Sequence, residues 1–323
     1  MFNVAKHINQ CVDSVLSQSF KNFELICVDD GCSDATLDLL AEYNDQRLRI
    51  IRQTNRGCSG ARNTGIFAAR GFYVALLDAD DFWASDKLSQ HINHLNARPD
   101  IDISFSPSLL VTEQGEEVGI GQVPLLDNIT FKNVLCRNPI GNGSAPVIRK
   151  QALLAHAYPL NGEQRLQIFN ESLGYSGDIE LWLRMLAKKS KCLEGITAPL
   201  TFNRLNKCNN RAQLNRKYMA WVDAVNGLRT QTELITPAVF SLAKAYQLRY
   251  LAAQAIQSGS AWNALKLVHK ALLCNPKILV EETSQTALTY VCAFLAIAPS
   301  SIYKLLESYA KRYICSRTLP TKI

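Results

Sequence analysis

No segment of this 323-residue chain is long and apolar enough to cross a bilayer. The longest nearly apolar run, Ala287–Ala298, falls short of the roughly 20 residues that a spanning helix needs. The opening residues carry no signal-peptide pattern. Ten cysteines are scattered, with no C-x-x-C pair and no zinc-type Cys/His spacing. That argues against a disulfide framework and for reduced, mostly buried thiols. A dense basic tract with interleaved aromatics is also missing, so nucleic acid is disfavoured as a partner. The five histidines, His7, His91, His94, His156 and His269, show no ligand or triad spacing and read as surface or structural residues. A cytoplasmic globular protein is the expectation these absences leave.

What is present suits a folded protein of two domains: 47% apolar residues and a net charge of +7. The charge mildly favours anionic partners, such as nucleotides or a lipid surface. Val4–Ser17 has helical spacing. Phe23–Val28 reads as a strand ending in Asp29-Asp30-Gly31, and a helix follows through Tyr43. Leu48–Ile51 is a second strand, then Asn55–Gly65 is a Gly-rich turn running into a helix. Phe72–Leu77 is a third strand, followed by Asp78-Ala79-Asp80-Asp81. Alternating strands and helices predict a parallel, doubly wound α/β sheet.

The chemistry concentrates at strand ends, where an open α/β sheet binds its ligands. Asp78 and Asp80, two apart, would share one side of an extended chain. Together they suit a hard divalent ion and a diphosphate. The plainer alternative is an acidic turn in which Asp81 or Ser85 caps the next helix. Asp30 reads either as an acceptor for a base or ribose, or as a helix cap. The Gly57–Gly65 stretch has neither G-x-G-x-x-G nor G-K-[ST] spacing, which excludes a dinucleotide fingerprint and a P-loop. Arg62 suits phosphate, though taken alone it reads first as a surface helix residue.

The order VDDGCSD (28–34), NRGCSGARNTG (55–65), LDADD (77–81) resembles family 2 glycosyltransferases of the GT-A fold over about residues 2–205. That resemblance implies that Asp30 binds the nucleotide base, Asp80 the metal (Mn²⁺ or Mg²⁺), and Asp78 the ribose or the metal's shell. It places Arg62 near the nucleotide. Phe2-Asn3 matches only the end of the family's opening strand, P-x-Y-N, which puts Asn3 beside the nucleotide and implies that the strand itself is missing from this sequence. Pro139–Ile148 reads as a Gly-rich loop entering a strand, either an acceptor-side wall or an ordinary turn. Leu160–Tyr175 is polar and without period.

A second carboxylate opens the helix from Ser176 to about Lys189, with an apolar stripe of Ile179, Trp182, Leu183 and Leu186. Asp178 reads as its N-cap or as a general base, and Glu180 as a surface residue. The family has an E-D pair here whose aspartate is the base, so the resemblance implies that role for Asp178, with Gly177 in the glutamate's place. Arg204, in a P-L-x-x-x-R pattern, would reach the diphosphate or lie at a strand-end surface.

The expected division is a GT-A domain at 1–205, its nucleotide half about 1–112 and acceptor half about 113–205, followed by an α-helical region at 206–323. Helices are expected at Lys217–Leu228, Pro237–Gln257, Ala261–Leu273, Gln285–Ala298 and Ile302–Tyr313, with Ala243–Pro276 resembling one tetratricopeptide pair. Lys304, Lys311, Arg312 and Arg317 mark either peripheral contact with the inner membrane face or a solvated helix face. The resemblance implies an inverting transfer from a UDP- or dTDP-sugar to a glycan or lipid-linked acceptor in cell-surface polysaccharide synthesis. A non-catalytic degenerate GT-A assembly module and a metal-dependent phosphohydrolase are the alternatives.

Overall fold

The computed structural model describes residues 1–120, 124–160, 165–205 and 211–295. The chain forms two compact units: Met1–Asn206 with Ala220–Leu234, and Lys207–Met219 with the residues from Ile235 on.

The first unit opens with α1 (Ile8–Leu16), which buries Ile8, Cys11, Val12 and Val15, one stripe at helical spacing. Ile8 and Val12 join Cys27 of β1 (Leu25–Asp29) and Leu40 of α2 (Thr36–Ala41) in a core cluster. Strand β2 (Leu48–Arg52) runs parallel to β1. The Arg47 carbonyl accepts from the Leu25 N–H and the Asp29 carbonyl from the Gln53 N–H, so odd residues of β1 face β2. Even residues face the other edge, where the Met1 ammonium donates to the Val28 carbonyl at 2.7 Å and the Asp30 N–H donates to the Met1 carbonyl at 2.9 Å. Met1 therefore sits as a strand residue would beside β1.

Helix α3 (Gly57–Ala68) leads to β3 (Tyr73–Ala75), then come β4 (Phe82–Trp83), α4 (Lys87–Ala97), β5 (Ile103–Phe105), β6 (Ser108–Val111) and β7 (Glu117–Ile120). Gly115, at φ +88°, makes the tight turn of the β6–β7 hairpin. After α5 (Phe131–Cys136) the chain adds β8 (Val147–Arg149), α6 (Lys150–Leu154), β9 (Tyr158–Pro159), β10 (Leu166–Gln167), α7 (Gly177–Lys188), β11 (Leu193–Gly195) and β12 (Thr201–Arg204). The sheets are β1–β2, β9–β10, β11-β5-β8-β3 and β4-β12-β6-β7. The all-parallel expectation is corrected: β8 runs antiparallel to both β5 and β3. Hydrophobic runs mark a buried strand but carry no record of its direction.

Lys87 is fully buried where these sheets meet. Its ammonium donates to the Ala145 carbonyl (2.7 Å) and Thr201 Oγ1 (3.1 Å), and lies 3.3 Å from His91 Nε2. Beyond it, His91 Nδ1 and His94 Nδ1 both meet Ser104 Oγ, and His94 Nε2 meets Glu194. Ser104 has one proton to give, so one imidazole donates to it and the other accepts. A donor at Lys87 orients the chain: His91 Nδ1–H to Ser104, Ser104 to His94, and His94 Nε2–H to Glu194.

In the second unit, α9 (Pro237–Gln257) begins at an N-cap, Thr236, with Pro237 in the first turn. Helix α10 (Ala261–Cys274) follows a turn with Gly259 at φ +75°. Small buried residues on both helices, Ala245, Ala252 and Ala255 on α9 and Ala264 and Ala271 on α10, permit close packing. Then come α11 (Ile278–Glu281) and α12 (Thr283–Leu295). A further helix, α8 (Arg211–Arg229), is divided between the units at Met219 and Ala220. The helix expected at Ile302–Tyr313 lies outside the described residues, as does the end of the one expected at Gln285–Ala298. Among the described residues no helix is long and apolar enough to cross a membrane.

Burial pushes the Lys87 ammonium from 10.5 down to about 7. The folded state thus releases this proton before the unfolded chain does. Stability contributed at this position should rise with pH between those two values, by at most about 1.4 kcal/mol per pH unit. Thermal unfolding from pH 7 to pH 9 should show this rise in the native chain relative to Lys87→Met. Parallel curves would contradict it.

Candidate active site

Asp29 ends β1 and Asp30 follows it, and the structure separates their tasks. Asp29 Oδ1 accepts the N–H groups of Gly31 (3.2 Å) and Cys32 (2.8 Å), closing a turn in which Gly31 takes φ +86°. Asp30, 3% exposed, accepts on Oδ1 from Gln53 Nε2 (2.6 Å) and the Arg56 N–H (2.8 Å). Among the described residues no bond falls on its Oδ2. Asp30 does not cap α2: the Thr36 N–H at that helix start is served by Asp34. Asn3 spends its side-chain carbonyl on the Ser33 N–H (2.8 Å), fixing the same turn.

After β3 the chain is not extended. The Asp81 N–H bonds the Asp78 carbonyl at 3.0 Å, so Asp78-Ala79-Asp80-Asp81 is a turn rather than the end of a strand. Asp81 is buried and accepts from Ser144 Oγ (2.6 Å), Asn203 Nδ2 (2.9 Å) and the Arg204 N–H (3.0 Å). Burial, then Asp78, pushes its carboxyl up to about 7. Neither Asp81 nor Ser85 caps α4, whose N-cap position is Asp86. Asp78 is paired with Arg62, Nη2 to Oδ1 2.7 Å. Arg62 is therefore not a surface residue: its guanidinium lies over the Phe169 ring, and a Cβ on Gly143 would come within 2.0 Å of Nη2. Asp80 makes no ion pair among the described residues, and burial and Asp78 raise its carboxyl.

The carboxylates Asp78 and Asp80 suit a hard cation. Among the described residues no group of three or more His, Cys, Asp or Glu could hold a metal. A cation here would need further oxygens, which a diphosphate and water supply.

Asp178 is the second residue of α7, whose N-cap is Ser176, so it is not the cap. Its Oδ1 accepts from the Ile179 N–H at 2.8 Å. Burial raises its carboxyl, Arg62 opposes that, and Asp78 adds to it. Arg62 thus acts on both acids. Gly177 packs against α3, where a Cβ would meet Ser59 Oγ at 2.8 Å.

Three further residues depart from the sequence reading. Glu180 is buried and pairs with Arg184 at 2.8 Å rather than facing solvent. Arg204 is buried, donates to the carbonyls of Thr112 (3.3 Å) and Glu113 (2.7 Å) and to Gln10, and stacks over Phe82. It is no strand-end surface residue, and much of its donor capacity is spent on the framework. Glu171, in the polar stretch without period, gathers Arg56, Asn63 and Arg165. No local signal marks it, because Arg56 lies 115 residues away in sequence.

An α/β domain with carboxylates gathered near the ends of its strands, followed along the chain by helices, is the GT-A architecture. The chain belongs to glycosyl transferase family 2, whose model matches residues 1–108. It is 30% identical over 190 residues to the putative teichuronic acid biosynthesis glycosyltransferase TuaG of Bacillus subtilis, covering 58% of this chain and 69% of that protein. Over 160 residues it is 32% identical to the Escherichia coli UDP-Glc:alpha-D-GlcNAc-diphosphoundecaprenol beta-1,3-glucosyltransferase WfaP, covering 46% of this chain and 63% of WfaP. Across four curated relatives the chain spans between 25% and 69% of their length. The fold is similar to that of the mannosyltransferase PcManGT from Pyrobaculum calidifontis, solved with GDP-Man and Mn²⁺: TM-score 0.54, 20% identity, 92% of this chain and 84% of that one.

Arg184 also donates to the carbonyls of His156 and Ile168, tying the segment before α7 to the helix that carries Asp178. Arg184→Met leaves Glu180 as a buried, unpaired carboxylate. Urea unfolding should show a loss of about 3 kcal/mol. A loss below about 1 kcal/mol would mean that the pair is no better than a surface one.

Proposed function

We propose that this protein transfers a sugar from a nucleoside diphosphate donor to an acceptor hydroxyl, with inversion at the anomeric carbon. The observation that carries the reading is the shared guanidinium: Arg62 bonds Asp78 at 2.7 Å and acts on the charge of Asp178. A donor-side acid and a base-like acid therefore belong to one site.

In this reading Asp30 presents its unbonded Oδ2 to the nucleotide base, and Asp78 and Arg62 face the ribose and phosphates. Arg204 and Asn3 shape the same side of the site from the framework. Asp178 takes the proton of the attacking hydroxyl; its raised pKa makes it a stronger base than an ordinary aspartate. Attack opposite the departing diphosphate in a single displacement inverts the centre. When bound through Asp80, a divalent cation (Mn²⁺ or Mg²⁺) would offset the charge growing on the diphosphate.

WfaP's name supports a UDP-sugar and a lipid-diphosphate-linked glycan, and TuaG's a cell-surface polysaccharide. PcManGT, solved with GDP-Man and Mn²⁺, makes a guanosine donor the alternative to UDP or dTDP and supports Mn²⁺. Work on a lipid-linked acceptor would place the protein at the inner membrane face. Gly177 favours a second reading, a nucleotide-binding assembly module without turnover, because the acid the family has there is replaced by close packing on Ser59.

Thermal unfolding of the full chain should shift with UDP and Mn²⁺ together. A ligand at about 100 times its Kd stabilises by about 2.7 kcal/mol. Asp80→Ala should lose the Mn²⁺-dependent part of that shift; an undiminished shift removes Asp80 from the metal site. Asp178→Asn should keep the nucleotide shift and lose sugar transfer by about a thousandfold or more. Transfer unchanged in Asp178→Asn would remove the base assignment. A nucleotide shift in a native chain that transfers no sugar to any acceptor would favour the assembly module.

A further inference from the structure

Glu171 is 10% exposed at its side chain and receives a side-on fork from Arg56: Nε to Oε2 at 3.1 Å and Nη2 to Oε1 at 2.8 Å. Asn63 Nδ2 adds a bond at 3.0 Å, and Arg165 approaches both oxygens at 3.4 Å. So many donors exceed what the surrounding segment needs. Asn63 alone already holds that segment, accepting from the Ile168 (3.0 Å) and Phe169 (2.8 Å) N–H groups and donating to the Phe169 carbonyl (2.8 Å).

The need lies on the Arg56 side. Arg56 is the N-cap residue of α3 and offers no side-chain cap bond, and Gly57 after it takes φ +73°. The peptide N–H of this turn is one of the two donors that hold Asp30 Oδ1. The Arg56 side chain reaches Glu171 and the Gly60 carbonyl (3.2 Å). The carboxylate thus fixes, through one side chain, the peptide that aims Asp30.

We propose that Glu171 is a positioning residue for the nucleotide site, acting through Arg56 on Asp30. The inference rests on the nucleotide reading of Asp30 given above.

The test is calorimetric titration of the full chain with UDP, GDP, dTDP and CDP, each with Mn²⁺. The native chain is compared with Glu171→Gln, Arg56→Met and the double variant, all checked for cooperative unfolding. Glu171→Gln should bind the preferred nucleotide about tenfold more weakly, and the double variant should bind no more weakly than Arg56→Met alone. Were Glu171→Gln to misfold, Arg56→Lys, which keeps the charge and loses the fork, should show the same weakening. Native affinity in the folded variants overturns the proposal and leaves the nucleotide reading standing. Additive losses in the double variant also overturn it, since Glu171 would then act independently of Arg56. Binding of none of the four nucleotides by the native chain overturns the nucleotide reading, and this proposal with it.

Discussion

One buried carboxylate organises the first unit. Asp81 draws together three segments that lie far apart in sequence: the turn after β3, the loop before β8 through Ser144, and β12 through Asn203 and the Arg204 peptide. A carboxylate out of water must be matched by donors, and losing one costs about 1–3 kcal/mol. This requirement fixes the turn. Ser144 Oγ also receives the Asp78 N–H at 3.0 Å, and the Trp83 indole donates to the Ser144 carbonyl. With Asp81 committed to the framework, the positions of Asp78 and Asp80 follow from it.

The charges left over are divided unequally. Burial works against the charge of Arg62, yet Asp78, Cys58 and Asp178 together hold it above the ordinary arginine range. Asp78 has this cation as its partner. Asp80 does not, and it stands beside Asp78 in a partly buried turn, so ionising it is costly. A carboxylate in that condition gains most from an added cation. Gly143 has a part in the division. Any side chain there would displace the Arg62 guanidinium and loosen its hold on Asp78.

The GT-A fold was legible because its markers are local. Hydrophobic runs ending in acids, and glycines at the turns, lie within a few residues of the structure they dictate. The positions of Asp30 just after β1 and of Asp178 in the first turn of α7 could be read in the same way. What stayed hidden depends on partners distant in sequence. Arg62 and Arg204 look like surface arginines until Asp78, Thr112 and Glu113 are seen beside them. Glu180 and Glu171 look solvated until Arg184 and Arg56 close on them. The direction of β8 was hidden for a similar reason, since a buried strand reads alike in either sense. The turn at Asp78–Asp81 escaped because Ser144, which shapes it, belongs to another segment.

Gly177 is the departure from the family pattern that bears most directly on chemistry, and its surroundings give it a packing cause. The first turns of α3 and α7 approach so closely that a Cβ would lie 2.8 Å from Ser59 Oγ. A side chain at this position would have to turn the Ser59 hydroxyl aside. An acid would also set a second negative charge next to Asp178, whose carboxyl burial and Asp78 already raise. Like charge at that distance disfavours ionisation further. Without it, Arg62 is set against two acids rather than three. The glycine therefore leaves Asp178 easier to ionise than a neighbouring acid would.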